Sequence, residues 1–278
     1  MQVSKIDCRS DHAAKNFVES LRNTGFAILQ FHPIDSDLVS QVYSDWARFF
    51  SSEGKHEYHF NAKTQDGFFP FLSENAKGAK AKDLKEFYHY YPWGQCPDFL
   101  EEATSRLYKQ LNGLAMLLLD WVEQESPEAI RKNYSMRLSD MVNPSDGTLM
   151  RILNYPAMKG DEVPSAIRAA AHEDINLLTC LVASTEPGLQ VKDLDGNWHD
   201  VDCDPGSIAV NVGDMLQMCS DNYFPSTTHR VINPDTGTEN KARLSIPLFL
   251  HPRPEVVLSD DHTAGTFLLQ RLKEIGLK

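Results

Sequence analysis

The most restrictive feature of this sequence is a series of short β-like runs in its second half, separated by turn signals. One pair of runs is joined by Asp195-Gly196, a strong signal for a two-residue hairpin. Many short strands at even spacing predict a sandwich or barrel, of which the jelly roll is a common case. The predicted runs are 148–155, 176–183, 189–192, 198–201, 207–212, 215–219, 228–232 and 242–250.

The rest of the chain has mostly helical patterning. Apolar residues spaced by three and four predict helices over 11–22, 36–50 and 97–124, a further helix starting at Ser126-Pro127, and a C-terminal helix over 263–276, with a short strand at 26–30. The stretch 53–95 is rich in glycine, proline and aromatic residues, and it is predicted to be a long structured loop region with a functional role. We therefore expect an α+β fold: a helical N-terminal region over 1–146 packs on a jelly-roll core over 147–278, which ends in the C-terminal helix, and both form one compact unit.

The charge balance excludes several classes of function. With 27 Lys+Arg against 39 Asp+Glu, the net charge is −12, and the most basic stretch, 77–85, is diluted by other residues and is predicted to be a solvated loop. Nucleic acid is therefore not an expected partner. The longest apolar run, 114–119, is too short to cross a bilayer, so no membrane association is expected. The start of the chain lacks a secretory signal and the five cysteines are scattered without a CxxC, which favours a cytoplasmic protein with reduced thiols.

Three residues in the β-rich half have the composition of a metal site. His172 and Asp174 open a β-like run, where alternation predicts one shared face, with Glu173 pointing away. His229 follows 57 residues later in another run, which leaves room for intervening strands to return the chain beside the first pair. Two imidazoles and one carboxylate are typical of the facial triad of non-haem Fe(II) oxygenases.

A second pair of polar residues lies 14 residues beyond His229. Arg243 and Ser245 share one face of a predicted strand. A buried arginine requires an anion, and a guanidinium beside a hydroxyl is suited to bind a carboxylate. The predicted anion is 2-oxoglutarate.

These residues lie within a longer series of matching segments. The chain resembles the isopenicillin N synthase-like family of Fe(II)/2-oxoglutarate-dependent oxygenases, which includes plant flavonoid and gibberellin oxidases, over nearly its whole length. The matching segments, in order, are TGFAIL, KEFYHYYPWG, NYP (154–156), HEDINLLT (172–179), GLQV (188–191), the W-x-D-V stretch from Trp198, NVGDML (211–216), THRV (228–231) and RLS (243–245).

The resemblance implies a double-stranded β-helix core with flanking helices. It implies His172, Asp174 and His229 as the catalytic iron ligands, and Arg243 and Ser245 as ligands of the distal carboxylate of 2-oxoglutarate, assisted by Tyr155. It further implies Fe(II) as metal, 2-oxoglutarate and O₂ as co-substrates, ascorbate as a candidate reductant, and oxidation of a small molecule, hydroxylation by default, with release of succinate and CO₂.

Three alternatives stay open on the sequence. An oxidase like isopenicillin N synthase would use the same Arg243 and Ser245 for a substrate carboxylate. A non-catalytic small-molecule-binding protein on the same fold would not need iron ligands. A zinc or manganese isomerase or hydrolase would leave Arg243 and Ser245 without a role. Specificity is expected in the stretch 53–95 and the C-terminal helix, where no motif names a compound and nothing indicates an oligomeric state.

Overall fold

A computed structural model describes residues 1–74, 81–143, 146–235 and 239–274. Its helices are α1 (Ala13–Thr24), α2 (Ser36–Ser51), α3 (Asp98–Glu125), α4 (Glu128–Arg131), α5 (Leu138–Val142), α6 (Asp214–Cys219) and α7 (Ala264–Glu274), with a 3₁₀ helix over Glu53–Tyr58. No helix in these ranges has both the length and the apolar composition of a membrane span.

The strands form two sheets. The strands are β1 (Lys5–Asp7), β2 (Phe26–Gln30), β3 (Gly67–Phe69), β4 (Glu86–Tyr90), β5 (Leu149–Tyr155), β6 (Ala169–His172), β7 (Leu178–Val182), β8 (Leu189–Lys192), β9 (Trp198–Asp200), β10 (Ile208–Val212), β11 (His229–Val231) and β12 (Arg243–Phe249). One sheet has eight strands in the order β1-β2-β10-β7-β12-β5-β4-β3, and the other has four in the order β6-β11-β8-β9. Apart from the parallel pair β1 and β2, neighbouring strands are antiparallel. The predicted α+β fold with a jelly-roll core is confirmed.

Strand alternation in the larger sheet separates two hydrophobic cores. In β2, Ala27 and Leu29 belong to the core that includes the helices, whereas Phe26 and Ile28 belong to a smaller core with Val191 of the four-stranded sheet. The space between the sheets is therefore lined by every second residue of each strand. This is the space in which the polar residues predicted from the sequence meet.

The helices cover the outer face of the eight-stranded sheet. Asp35 caps α2, because its carboxylate accepts hydrogen bonds from the backbone N–H groups of Asp37 and Leu38. The 28 residues of α3 bury a continuous stripe that includes Leu111 and Leu118. This helix packs on α1, α2 and the sheet, and thus supports the core from behind.

The prediction of a strand over 215–219 is wrong, because these residues form α6. Gly213 passes so close to the backbone of Asn176 that a Cβ atom there would lie 2.1 Å from the Asn176 carbonyl oxygen. The chain leaves the sheet at this point. Met215, Leu216 and Cys219 are buried at helical spacing, but a run this short fits a strand equally well on its apolar pattern.

The first half of the chain supplies more strand than expected. The stretch predicted as a loop over 53–95 contains the 3₁₀ helix and strands β3 and β4, and β4 pairs with β5 of the core. Four of the five residues of β4 are buried, so the strand lacks the polar and apolar alternation that would have revealed it. The division of the chain at residue 146 stays a prediction, since the eight-stranded sheet takes strands from both sides of it.

Candidate active site

His172, Asp174 and His229 meet at one end of the space between the sheets. His172 is the last residue of β6 and His229 the first of β11, and the two are directly paired across these strands. Asp174 Oδ1 lies 3.8 Å from Nε2 of each histidine. The three ligand atoms lie within 4.8 Å of one another, which places them around a position that one metal ion can fill.

The route by which Asp174 reaches this position differs from the prediction. We expected His172 and Asp174 on one face of one strand, but β6 ends at His172 and Asp174 lies in the connection to β7. That connection passes from the four-stranded to the eight-stranded sheet. The carboxylate therefore approaches from the point where the chain changes sheets, while the imidazoles come from neighbouring strands.

Backbone carbonyl groups orient both imidazoles. His172 Nδ1 lies 2.8 Å from the carbonyl oxygen of Ala170, and His229 Nδ1 lies 3.1 Å from that of Thr227. A carbonyl oxygen only accepts, so each Nδ1 carries the proton and each Nε2 presents its lone pair to the metal position. This arrangement is common around metal-binding histidines.

Two neighbouring strands orient the carboxylate. Thr179 Oγ1 and Asn211 Nδ2 donate hydrogen bonds to Asp174 Oδ2 at 2.6 and 2.8 Å. Thr179 on β7 and Asn211 on β10 are themselves a cross-strand pair. Both donors bind Oδ2, so Oδ1 is directed at the histidines.

The surroundings favour the protonation states that a metal requires. Burial, reinforced by His229, lowers the pKa of His172 to about 4. Burial opposes ionisation of Asp174, yet the histidines and the hydrogen bonds from Asn211 and Thr179 lower its pKa. At neutral pH the cluster thus offers a neutral imidazole and a carboxylate, which are the metal-binding forms.

Arg243 lies deeper between the sheets and is 2% exposed. Its Nε donates to the carbonyl oxygen of Glu186 at 2.9 Å, and its Nη2 donates to Ser184 Oγ at 2.8 Å. Its Nη1 is buried and has no hydrogen-bond partner among the described residues. No salt bridge in those residues includes Arg243. Because a buried cation is costly without an anion, this pocket fits an anionic ligand.

Ser245 and Tyr155 lie beside this guanidinium. Ser245 Oγ accepts a hydrogen bond from Ser184 Oγ at 3.2 Å. Tyr155 is paired with Arg243 across β5 and β12, and its ring centroid lies 5.3 Å from the guanidinium carbon. One pocket between the sheets is lined by all six residues predicted from the sequence, namely Tyr155, His172, Asp174, His229, Arg243 and Ser245.

A larger cavity of 380 Å³ adjoins this pocket and shares His172 and Asp174 with it. Lys85 and Arg151 also line both spaces, and sequence reasoning missed them. The prediction that 77–85 is a solvated loop is wrong for Lys85, which is 7% exposed, while 75–80 lie outside the described residues. The signal for Arg151 was a single arginine within the otherwise apolar strand start LMRIL.

Two family models match the chain. The model of the 2OG-Fe(II) oxygenase superfamily matches residues 147–252, which include the metal cluster and Arg243. The model described as the N-terminal region of non-haem dioxygenases in morphine synthesis matches residues 2–113.

Curated plant proteins are similar over most of the chain. DMR6-LIKE OXYGENASE 2 of Arabidopsis thaliana is 27% identical over 254 residues, which cover 87% of this chain and 69% of the relative. A flavonol synthase/flavanone 3-hydroxylase of Petunia hybrida is 25% identical over 279 residues, which cover 92% of this chain and 75% of the relative.

Solved structures share the whole fold. An oxygenase candidate from Shewanella oneidensis is 53% identical with a TM-score of 0.90, and the match covers 100% of both chains. A candidate 2OG-Fe(II) oxygenase family protein from Caulobacter crescentus is 27% identical with a TM-score of 0.81, covering 98% of this chain and 99% of that one. A full-length Neurospora crassa protein solved in complex with alpha-KG has a TM-score of 0.81 at 23% identity, covering 97% of this chain and 95% of that one, which shows the shared fold alone.

Proposed function

The chain belongs to the 2OG-Fe(II) oxygenase superfamily, and from this premise we propose that His172, Asp174 and His229 hold its iron. The protein is a 2-oxoglutarate- and Fe(II)-dependent dioxygenase. Arg243 and Ser245 bind the distal carboxylate of 2-oxoglutarate, and Tyr155 lies against the same guanidinium. Ascorbate serves as reductant where the metal requires it.

One observation supports the assignment of a metal site and a co-substrate site to the same pocket. The buried Nη1 of Arg243, which has no partner among the described residues, lines the same pocket as the two histidines and Asp174. A metal site alone would not need a buried guanidinium, and an anion site alone would not need two oriented imidazoles. A dicarboxylate that binds a metal at one end and an arginine at the other accounts for both.

When held by these residues, Fe(II) and 2-oxoglutarate would supply the activation of O₂ for insertion of one oxygen atom into the substrate, with succinate and CO₂ as the other products. The protein itself positions the three side chains that would bind the metal. The backbone carbonyls of Ala170 and Thr227 hold the imidazoles, while Thr179 and Asn211 hold the carboxylate. These contacts fix the orientation of the three ligands before substrate enters.

The substrate is a small molecule, and hydroxylation is the proposed outcome. The 380 Å³ cavity beside the metal position is the proposed substrate site, because it is the space from which a ligand can reach His172 and Asp174. A cytoplasmic location is proposed as well. All five cysteines are free, which agrees with a reducing compartment.

Anaerobic titration tests these roles directly. Fe(II) with 2-oxoglutarate should give a weak visible charge-transfer band in the wild type, and His172→Ala should abolish it. Arg243→Leu should weaken 2-oxoglutarate binding by about 100-fold, since a charge-assisted contact with a buried guanidinium is lost, while iron still binds. Arg48→Leu, at an exposed arginine on α2 paired with Asp45, is the control and should bind 2-oxoglutarate normally.

Two results would contradict the proposal. A wild-type protein that consumed O₂ with substrate without forming succinate would be an oxidase of the isopenicillin N synthase type. Iron and 2-oxoglutarate binding that survived Arg243→Leu unchanged would remove Arg243 from the co-substrate site.

A further inference from the structure

The 380 Å³ cavity beside the metal position has a strongly charged wall. Nine of its thirteen lining residues are ionisable, and only Leu149, Ala171, Ile175 and Phe249 are apolar. Three of the nine are the cations Lys85, Arg151 and Arg271. A wall of this kind favours a small polar ligand over a large apolar ring system, which would leave the charges desolvated and unpaired.

Two of the three cations are already neutralised by carboxylates. Lys85 Nζ lies 2.9 Å from Glu74 and 2.8 Å from Asp83. Arg271 lies 3.1 Å from Asp214 and 3.1 Å from Glu274. Neither side chain is free to serve as the principal partner of an anionic ligand.

Arg151 differs from these cations in its partners. Its Nε donates to Nε2 of His89 at 3.0 Å, and Nδ1 of His89 donates to the carbonyl oxygen of Gln65 at 3.1 Å. Burial, reinforced by Arg151, lowers the pKa of His89 to about 3, so this imidazole is neutral and contributes no negative charge. His89 orients the guanidinium without neutralising it.

The carboxylate nearest to Arg151 is shared. Glu74 Oε2 lies 3.4 Å from Nη1 of Arg151, beyond the ordinary length of such a hydrogen bond, and 2.9 Å from Lys85. Nη2 of Arg151 has no hydrogen-bond partner among the described residues. Nη2 of Arg151 is therefore available to a ligand.

Two aromatic rings pack against the guanidinium of Arg151. The guanidinium carbon lies 4.7 Å from the ring centroid of Phe87 and 5.8 Å from that of Phe249. Arg151 lines both the 380 Å³ cavity, called the outer cavity below, and the pocket that contains the metal cluster. A group bound to it would keep the rest of a small molecule within reach of the metal position.

Building on the function proposed above, we propose that Arg151 anchors a carboxylate of the substrate in the outer cavity. A carboxylate can accept a charge-assisted hydrogen bond from Nη2, and it adds the negative charge that the neutral His89 does not supply. The substrate class is then a small carboxylic acid, oxidised at a carbon removed from the carboxylate that Arg151 holds.

Calorimetry with simple probes tests this anchor. The protein is first loaded anaerobically with Fe(II) and saturating 2-oxoglutarate, so that Arg243 is occupied, and is then titrated with benzoate or with the isosteric neutral benzamide. Benzoate should bind at least about 10-fold more tightly, since a charge-assisted pair is worth about 1.4 kcal/mol more than a neutral one. Arg151→Gln should abolish this preference.

Two further variants separate an anchoring role from a structural one. Glu74→Gln removes the competing carboxylate and should tighten benzoate binding by about threefold or more, whereas a purely structural ion pair would make this variant bind less. Arg271→Gln is the matched control. Its guanidinium is already paired, so benzoate affinity should stay within about threefold of wild type.

The outcomes are distinct. Equal affinity of the wild type for benzoate and benzamide, no binding of either, or an unchanged preference in Arg151→Gln would overturn the proposal. If Arg151→Gln fails to fold, Arg151→Lys must keep part of the benzoate preference and Glu74→Gln must increase it, or the proposal is wrong. A wild type that takes up neither Fe(II) nor 2-oxoglutarate in the loading step would instead refute the proposed function.

Discussion

The hydrogen bond from Thr179 to Asp174 provides a sensitive test of how the metal site is organised. Thr179 Oγ1 donates to Asp174 Oδ2 at 2.6 Å, and both residues are buried. Thr179→Val keeps the shape of the side chain and removes the donor. The bond is charge-assisted and buried, so its loss should cost about 1.5–3 kcal/mol. It also removes one of the interactions that lower the pKa of Asp174.

The expected consequence is weaker iron binding. Asn211 still donates to Oδ2, so the carboxylate keeps one of its two anchors. We expect Fe(II) to bind about 10- to 100-fold more weakly, as is typical when a hydrogen bond that orients a metal ligand is lost. The measurement is an anaerobic competition titration against a chromophoric chelator. Thr179→Ser, which restores the hydroxyl, should recover most of the affinity.

Thr148 offers a matched control. It is also a buried threonine, at 1% exposure, but its Oγ1 has no hydrogen-bond partner among the described residues. Thr148→Val should leave iron affinity unchanged. If Thr179→Val bound iron within about twofold of the wild type, or if both valine variants lost affinity equally, the reasoning that this hydroxyl orients the carboxylate would be refuted.

Three other predictions concern stability. Burial lowers the pKa of His89 to about 3 and that of His251 to about 4, below the ordinary value of 6.5. Between these values the unfolded chain binds protons that the folded protein does not, so the unfolding free energy of the metal-free protein should fall as the pH drops from 6.5 toward 4. An unfolding free energy from urea denaturation that stayed constant over this range would contradict the prediction. Leu118→Ala, at a fully buried position of α3, should lower the free energy of unfolding by about 2–5 kcal/mol, measured by chemical denaturation. A smaller loss would mean that neighbouring side chains repack to fill the cavity. Gly213→Ala should lower both the unfolding free energy and the iron affinity, because the new Cβ would clash with the Asn176 carbonyl oxygen next to the segment that carries Asp174. An unchanged melting temperature would show that the backbone shifts to accommodate the methyl group.

Most elements were predictable because their signals are local. The strands over 26–30 and 189–192 have the predicted bounds, and α3 begins and ends within one residue of the prediction. Periodicity and caps lie within a few residues of each element, so sequence reports them directly. Strand β4 and helix α6 were missed because one is buried on both faces and the other is too short for its period to be read.

The candidate site was predictable in its chemistry and less so in its geometry. The residue types His172, Asp174, His229, Arg243 and Ser245 indicated a metal and an anion from spacing and composition alone. Their arrangement was partly wrong, since Asp174 arrives from the connection between two sheets and not from the strand of His172. A two-residue spacing is compatible with both arrangements, and only the end of β6 decides between them.

The sequence by itself thus determined which elements form and which side chains are available for chemistry. The tertiary structure decided that His172 and His229, 57 residues apart, face each other across two strands. It also decided that no described carboxylate neutralises Arg243, and that Arg151 lines the cavity with an Nη2 group that has no hydrogen-bond partner among the described residues. The physical reason is that periodicity and capping act within a few residues. Register between distant strands, and the partners that a buried charge finds or lacks, are set only when the two sheets and the helices pack together.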